Sequence, residues 1–176
     1  MVIKNRGFAP SEKLWLSSWV AFLLLIALVG CRSEPSGPTS TTAEPTGQLT
    51  GYTGCSSPQL TGPADDCLEY EYFRDGSLHL RHVGAGFNCC PGEISATITI
   101  SANEVVIAEA ESESACRCLC LYTIEYEIKN LQRGRYEIRL LEPYVTDEDD
   151  PLVCTIDLTA SSSGRCCVER NHYPWD

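Results

Sequence analysis

Basic residues are scarce along most of this 176-residue chain. Beyond Cys31 the chain keeps 10 of its 13 lysines and arginines but 23 of its 24 aspartates and glutamates, which leaves a net charge of −13. Lys129 is the single lysine of that part. An acidic surface repels phosphate groups, so this balance argues against nucleic acid and anionic lipid headgroups as partners.

Sequence motifs of familiar enzymes are also missing. The chain has no Gly-x-Ser-x-Gly elbow and no Cys-x-x-Cys pair, which argues against a serine hydrolase and a thioredoxin-like centre. Of its three histidines, His79 and His82 lie three residues apart on a predicted strand, hence on opposite faces. Glu125 and Glu127 are interpreted as part of a solvated strand face. The sequence therefore predicts a protein without catalysis and without a cofactor.

A long hydrophobic run occurs once, over residues 14–29, and three basic residues precede it. This layout predicts a secretory signal. The run ends in Leu28-Val29-Gly30-Cys31, which resembles the lipobox of bacterial lipoproteins. That resemblance implies a signal peptide of residues 1–30, cleaved directly before Cys31, and lipidation of that cysteine. The alternative is an uncleaved membrane anchor.

The lipid that this resemblance implies determines the expected location. Each buried methylene contributes about 0.8 kcal/mol, so several acyl chains on Cys31 give a stable membrane anchor. Arg32, not aspartate, follows the cysteine, and by analogy with enteric bacteria this implies the outer membrane. The sequence leaves open whether the protein faces the periplasm or the exterior.

The segment from 31 to 54 is rich in Pro, Gly, Ser and Thr and poor in apolar side chains. Such a composition predicts a disordered tether. As a flexible coil of 23 residues from Arg32 to Gly54, this tether has a mean reach of about 27 Å. We expect it to hold a cysteine-rich domain, residues 55–176, away from the membrane.

Residues 55–176 show the patterns of β-strands nearly throughout. Ile94, Ile98 and Ile100, for example, alternate with Ser95 and Thr97. Turn-forming residues separate such segments, and no stretch has a convincing helical period. This pattern predicts an all-β fold, an antiparallel β-sandwich of about 7 or 8 strands braced by disulfides. The expected strands cover residues 67–73, 77–83, 93–101, 103–111, 116–131, 135–144, 152–160 and 165–170.

One motif makes the fold prediction more specific. Leu131-Gln132-Arg133-Gly134-Arg135-Tyr136 has the form Leu-x-x-Gly-x-Tyr. It resembles the tyrosine corner of immunoglobulin-like and fibronectin type III sandwiches, in which the tyrosine hydroxyl caps the turn between two strands. Leu131, Gly134 and Tyr136 are its expected members. The resemblance implies a fold and not a function.

Ten cysteines follow Cys31, an even number in a chain that is expected to be exported. A disulfide framework is the default interpretation of such a set, although the sequence does not determine the connectivity. The candidates are Cys55, Cys67, Cys89, Cys90, Cys116, Cys118, Cys120, Cys154, Cys166 and Cys167.

Strand phase indicates where some of these cysteines point. On an extended strand, Cys116, Cys118 and Cys120 share the face of Tyr122 and Ile124. We therefore expect all three cysteines to be buried in the core and bonded within the domain.

Three neighbouring or nearby pairs lead to further expectations. Cys89 and Cys90 point to opposite faces if the chain is extended, so they should take different partners. The pair Cys166-Cys167 is expected to fix the C-terminal tail. A bond between Cys55 and Cys67 would close the first loop of the domain.

Two metal-binding alternatives remain. The first is a metal-binding or redox lipoprotein that uses a thiolate cluster of Cys89, Cys90, Cys116, Cys118 and Cys120. Structural zinc sites, however, usually carry cysteines on turns with two to four residues between them, not alternating along an apolar strand. The second is weak Ca²⁺ binding by the run Asp147, Glu148, Asp149 and Asp150, which lacks the EF-hand loop form and is interpreted as an acidic turn.

Four segments together resemble a group of small exported bacterial lipoproteins. They are FNCCPGEI (87–94), CRCLCLYTIEYEI (116–128), LQRGRYEI (131–138) and CVERNHYPW (167–175). Shared features of the group are an NCC segment, a CxCxCxY strand and a Tyr-Pro-Trp tail, and it carries no assigned activity. The preferred functional hypothesis is a lipid-anchored β-sandwich that serves as an interaction or adhesion module for a protein or glycan partner.

Overall fold

The computed structural model describes residues 43–55 and 65–170, which form an all-β domain. Within those ranges there are nine strands and no helix, hence none that is long and apolar enough to cross a membrane. The strands are β1 Thr46–Thr53, β2 Asp65–Tyr72, β3 Leu78–Asn88, β4 Ile94–Ser101, β5 Glu104–Glu111, β6 Leu119–Lys129, β7 Arg135–Leu141, β8 Val153–Asp157 and β9 Ser163–Glu169. The signal peptide, Cys31 and the Tyr-Pro-Trp tail of the sequence analysis lie outside the described residues.

The nine strands form two sheets that pack face to face. One sheet has five strands in the order β1-β6-β3-β2-β9, and the other has four in the order β4-β5-β7-β8. All neighbouring strands are antiparallel except β5 and β7, which run parallel. The predicted disulfide-braced β-sandwich is confirmed, with one or two strands more than expected. The immunoglobulin-like comparison stays a prediction.

Alternating side chains give most strands one buried face, whereas the edge strands β1 and β9 turn only half-buried side chains inward. In β6, Tyr126 and Ile128 are buried, whereas Glu125 and Lys129 are exposed. The fully buried apolar side chains of the two sheets meet in one core and include Leu68, Leu78, Leu80, Phe87, Ile107, Ile124 and Ile138. Burial of a side chain of this size stabilises a fold by about 1.5–3 kcal/mol, so this shared core is what holds the sheets against each other.

The first strand corrects the predicted domain boundary. Residues 46–53 belong to the predicted disordered tether, but Thr46–Thr53 forms β1 and pairs with β6 at the edge of the five-stranded sheet. Backbone pairing with β6 compensates for the scarcity of apolar residues, and Leu49 packs against the core. Gly47 lies so close to β4 that an added Cβ atom would be 2.5 Å from Ile98 Cγ2. A domain start at residue 55 is therefore wrong, because β1 is part of the sandwich.

The two lateral sides of the sandwich are closed in different ways. On one side, β1 of the five-stranded sheet lies against β4 of the four-stranded sheet. On the other side, a disulfide joins Cys154 of β8 to Cys166 of β9. Each edge of one sheet is thus held to an edge of the other, which leaves the two outer faces as the broad exposed surfaces.

We predict that β1 is held by a close backbone approach at Gly47. Gly47→Ala should lower the free energy of unfolding by about 1–3 kcal/mol, because the new methyl group would overlap Ile98. Gly51→Ala on the same strand is the control, since its nearest neighbour would be 3.9 Å from the new atom. It should change stability by no more than about 0.5 kcal/mol. Guanidinium unfolding followed by near-UV circular dichroism measures both, and equal effects would contradict the packing of β1 on β4.

Candidate functional site

Three disulfides lie together at one end of the sandwich. They join Cys55 to Cys120, Cys89 to Cys118 and Cys90 to Cys116. Two further disulfides, Cys67–Cys167 and Cys154–Cys166, hold β9 to β2 and to β8. All ten cysteines of the described residues are therefore paired, and the predicted disulfide framework is confirmed.

The cluster of three disulfides is organised by the side chain of Asn88. Its Oδ1 accepts hydrogen bonds from the backbone N–H groups of Cys90, at 2.8 Å, and of Cys116, at 3.2 Å. Its Nδ2 donates to the Cys116 carbonyl at 2.7 Å. The hydroxyl of Tyr122 donates to the Asn88 carbonyl at 3.1 Å. These contacts fix the two loops that the disulfides connect.

The structure corrects the predicted burial of the Cys-x-Cys-x-Cys run. Strand β6 begins only at Leu119, so Cys116 and Cys118 precede it and do not share its phase. Cys118 is exposed and Cys116 is half-buried, whereas Cys120 packs against the core beside Tyr122. The loop before β6 therefore takes two of the three cysteines out of the core.

The structure confirms some of the expected cysteine pairings and contradicts one. Cys89 and Cys90 do take different partners, and the pair Cys166-Cys167 fastens β9 to β2 and β8, while the tail itself lies outside the described residues. The suggested bond between Cys55 and Cys67 is wrong, because Cys55 joins the start of β6. The sulfur atoms of Cys55, Cys89 and Cys120 lie within 4.8 Å of one another, but all belong to disulfides and offer no thiolate to a metal.

Both turn motifs of the sequence analysis have local hydrogen bonds. The Tyr136 hydroxyl donates to the Gln132 carbonyl, four residues upstream, at 2.9 Å, and Leu131 is buried beside it. An added Cβ at Gly134 would lie 3.5 Å from the nearest atom of the tyrosine ring, which is an ordinary van der Waals distance. In the acidic turn, Asp149 accepts hydrogen bonds from the backbone and hydroxyl of Thr146. Within the described residues, the turn 147–150 is not among the groups with metal-ligand geometry.

A group of charged side chains is buried between the two sheets. His82 of β3 has no exposed surface, and its Nε2 lies 2.6 Å from Asp66 Oδ1 and its Nδ1 2.7 Å from Glu109 Oε1. Asp66 belongs to β2 of the same sheet, whereas Glu109 projects from β5 of the facing sheet. The Tyr126 hydroxyl also donates to Glu109. The histidine ring therefore connects the two sheets through two carboxylates.

Arg170, directly after β9, completes this group. Its Nε donates to Asp66 Oδ2 at 3.0 Å, and its Nη2 donates to the same oxygen and to Glu142 Oε1, the latter at 2.9 Å. Glu142 follows β7, and its Oε2 lies 3.7 Å from His82 Nε2. We call the six side chains of Asp66, His82, Glu109, Tyr126, Glu142 and Arg170 the buried network.

Burial and neighbouring charges shift the pKa values in the buried network. Burial alone would lower the pKa of His82, but the charges and hydrogen bonds of Glu109 and Asp66 outweigh it and raise that pKa well above its ordinary value. Burial raises the pKa of Glu142 to about 8. Two oxygens, Glu109 Oε2 and Glu142 Oε2, have no hydrogen-bond partner among the described residues. An orphaned buried carboxylate oxygen is costly and points to a missing partner.

The sequence analysis missed the buried network, although the strand phases carry a signal for it. His82 shares the inward phase of β3 with Leu80, and Glu109 shares that of β5 with Ile107. A charged residue at an inward phase needs a partner inside the fold. His79 is exposed, so the prediction that the two histidines lie on opposite faces is confirmed.

The outer face of the five-stranded sheet carries charges of both signs. Glu125, Arg81, Glu69 and Arg165 lie opposite one another on β6, β3, β2 and β9. Arg81 contacts Glu69 at 2.8 Å and Glu125 at 3.8 Å, and about half of the Arg81 side chain is exposed. A parallel row consists of Gln48, Glu127, His79, Glu71 and Ser163. We call these two rows the charged face.

An open groove of about 820 Å³ runs across the charged face. Its lining includes Thr50 of β1, which faces solvent at the β-bulge between Leu49 and Gly51. Side chains of both rows line it as well, so its walls offer carboxylates, guanidinium groups and hydroxyls. Such a surface can recognise an extended polar ligand by several weak contacts.

Comparison with protein-family models, with curated proteins and with solved structures finds no match for this chain. The function is therefore inferred from the two features that its own residues form, the buried network and the charged face.

We predict that Arg170 is essential for stability and Arg165 is not. Arg170→Met should lower the free energy of unfolding by about 3–5 kcal/mol, because it leaves the carboxylates of Asp66 and Glu142 buried without their cation. Arg165→Met removes an arginine from the exposed face of β9, the strand that Arg170 directly follows, and should cost no more than about 1 kcal/mol. Guanidinium unfolding with the disulfides intact measures both variants. Similar losses for the two would show that the buried network does not stabilise the fold.

Proposed function

We propose that this protein is an exported bacterial lipoprotein, anchored to the outer membrane through Cys31, whose β-sandwich is a non-catalytic interaction module. Its partner is a protein or a glycan, which binds the charged face. The membrane contact is supplied by the lipid, and nucleic acid is excluded by the acidic balance of the chain. The observation that supports this proposal best is the open groove across two rows of exposed polar side chains.

Export is supported by the cysteines. Five disulfides form and persist in an oxidising compartment such as the periplasm or the cell surface, and are rare in the cytosol. The hydrophobic run and the lipobox resemblance are independent arguments for the same location. Since Thr46–Thr53 is a strand, the proposed tether is shorter than the sequence analysis expects and ends before β1.

The charged face is suited to a neutral or mixed-charge partner. Acidic and basic side chains alternate along the row Glu125, Arg81, Glu69 and Arg165, so the face has no broad patch of one sign. Alternating charges favour a partner with a complementary pattern and disfavour a polyanion, because like charges that are brought together at an interface cost roughly several kcal/mol. Complementarity of this kind selects partners more than it adds affinity.

The buried network supports a non-catalytic role. His82 is the histidine with a strongly raised pKa, and it has no exposed surface that a substrate reaches. The exposed His79 contacts Glu127 at 3.7 Å on the open sheet face. A general acid or base must reach the proton that it transfers, and His82 does not.

The lipid anchor is tested by the mass of the exported protein. In a bacterial host, the wild-type chain should lose residues 1–30 and gain acyl chains, whereas Cys31→Ala should stay unprocessed because the modified sulfur is missing. Ser33→Ala, two residues away, is the control and should be processed like the wild type. Intact-mass spectrometry of the membrane fraction decides the outcome. The same unprocessed mass for wild type and Cys31→Ala would contradict the lipoprotein assignment.

The binding surface is tested by photo-crosslinking in the native host cell. A photoreactive phenylalanine analogue at Thr50 should form a discrete covalent adduct with a protein or glycan, because Thr50 lines the groove. The same analogue at the exposed Thr97 of β4, on the four-stranded sheet, should give none. Adding Arg81→Glu should abolish the Thr50 adduct, since it reverses a central charge of the face. Adducts that are equal at both positions, or that survive the charge reversal, would contradict the proposed surface.

A further inference from the structure

Three possible metal ligands converge inside the buried network. Asp66 Oδ1, His82 Nε2 and one carboxylate oxygen of Glu142 all lie within 4.8 Å of one another. They come from β2, from β3 and from the segment after β7, so both sheets contribute. One imidazole nitrogen and two carboxylate oxygens are ligands that divalent transition metals such as Zn²⁺ accept.

The atoms around these ligands hold them in the orientation that a metal centre requires. His82 Nδ1 is 2.7 Å from Glu109 Oε1, and Tyr126 donates to that same carboxylate. A metal-bound histidine almost always donates its other ring N–H to a carboxylate or carbonyl, which fixes the tautomer and leaves the first nitrogen for the metal. Glu109 occupies this supporting position behind His82.

Arg170 fixes the remaining two ligands from the opposite side. It donates to Asp66 Oδ2 and to Glu142 Oε1, whereas the other oxygen of each carboxylate contacts His82 Nε2. Asp66 Oδ1 and Glu142 Oε2 then face the histidine nitrogen. Glu142 Oε2 is fully buried and accepts no hydrogen bond from the described residues, and it lies 3.7 Å from His82 Nε2.

The charges of the network have the right balance for one divalent cation. The three buried carboxylates of Asp66, Glu109 and Glu142 face one guanidinium, that of Arg170. Metal binding displaces the proton of His82 and any proton of Glu142, and with a neutral histidine and ionised carboxylates two negative charges are then in excess. A single divalent ion compensates them, which removes the large cost of burying uncompensated charge.

We propose that Asp66 Oδ1, His82 Nε2 and Glu142 Oε2 bind one divalent transition-metal ion of the zinc class, as a structural clip between the two sheets. Metal bonds of about 2.0–2.2 Å at tetrahedral angles separate ligand atoms by roughly 3.4 Å. The distance between His82 Nε2 and Glu142 Oε2, 3.7 Å, already matches this spacing. Asp66 Oδ1 lies 2.6 Å from His82 Nε2. When the metal binds, this oxygen must move away from the nitrogen by about 0.8 Å to reach the tetrahedral spacing.

The burial of the site determines both its role and its loading. His82 and Asp66 have no exposed surface and Glu142 is 2% exposed, so no substrate reaches the ion. The site is therefore structural, and the ion is taken up while the domain folds. Binding free energy of a metal that is absent from the unfolded chain adds to folding stability.

The test uses zinc alone as the probe and the full chain as the protein. The chain is unfolded in guanidinium chloride with its disulfides intact, freed of metal with EDTA, and refolded with or without excess ZnCl₂. After gel filtration, elemental analysis should find about one zinc ion per wild-type chain. The midpoint of unfolding should be higher for the zinc-loaded protein than for the protein refolded in EDTA.

Four variants assign the ion to this site. Glu142→Gln and His82→Gln remove ligands and should retain almost no zinc. Glu109→Gln removes the support behind His82 and should weaken zinc binding by about 10- to 100-fold. His79→Gln is the matched control, because this histidine lies on the same strand but on the exposed face, and it should retain zinc like the wild type.

Each outcome supports or overturns the proposed site. A wild-type protein that refolds without retaining zinc overturns it, and so does undiminished zinc in Glu142→Gln or loss of zinc in His79→Gln. Near-UV circular dichroism verifies that each variant folds. Should the ligand variants fail to fold, X-ray absorption of the zinc-loaded wild type decides, with one imidazole and otherwise oxygen ligands expected. Sulfur ligands or more than one imidazole would overturn the assignment.

Discussion

A histidine held between carboxylates of two sheets is the interaction on which the rest of the structure depends. His82 contacts Asp66 on its own sheet and Glu109 on the facing sheet, and Arg170 balances the charge from the end of the chain. Charged groups are buried only when their partners are in place, because an unpaired buried ion lowers the free energy of unfolding by roughly several kcal/mol. Strands β2, β3, β5 and the segments after β7 and β9 must therefore take one register and one relative position for the core to close.

The disulfides act where the buried network does not reach. Three of them fasten the loops at one end, and Cys154–Cys166 links the two sheets at one side. Because the interior ionic contacts and the peripheral disulfides stabilise the fold, the side chains of the charged face on the five-stranded sheet are not needed for stability. A rigid, exposed surface of this kind suits an interaction module, since little conformational entropy is lost when a partner binds it.

Local pattern was enough to predict the sandwich but not its contacts over long sequence distances. Apolar and polar side chains alternate in Ile94–Ser101 and Leu119–Lys129. This alternation identifies the strands and their inward faces, because the face toward the core must be apolar and the face toward solvent polar. Thr46–Thr53 escaped prediction because pairing with β6 stabilises it, and composition does not report pairing. Cys116 and Cys118 were wrongly predicted to be buried, because side chains alternate between the two faces only within a strand. Strand β6 begins after both of them, at Leu119. The hydrogen-bond partners of His82 are separated from it by 16 and 27 residues, so only the tertiary structure brings them together.

The central claim is that the contact between His82 and Glu109 couples the two sheets, and a double-mutant cycle measures that coupling directly. The free energies of unfolding of the wild type, His82→Gln, Glu109→Gln and the double variant are compared in chelator-containing buffer. The account predicts a coupling free energy of about 2–3 kcal/mol, since residues in one buried network are strongly non-additive. Effects that add to within about 0.5 kcal/mol would show that the two side chains do not act together, and would contradict it.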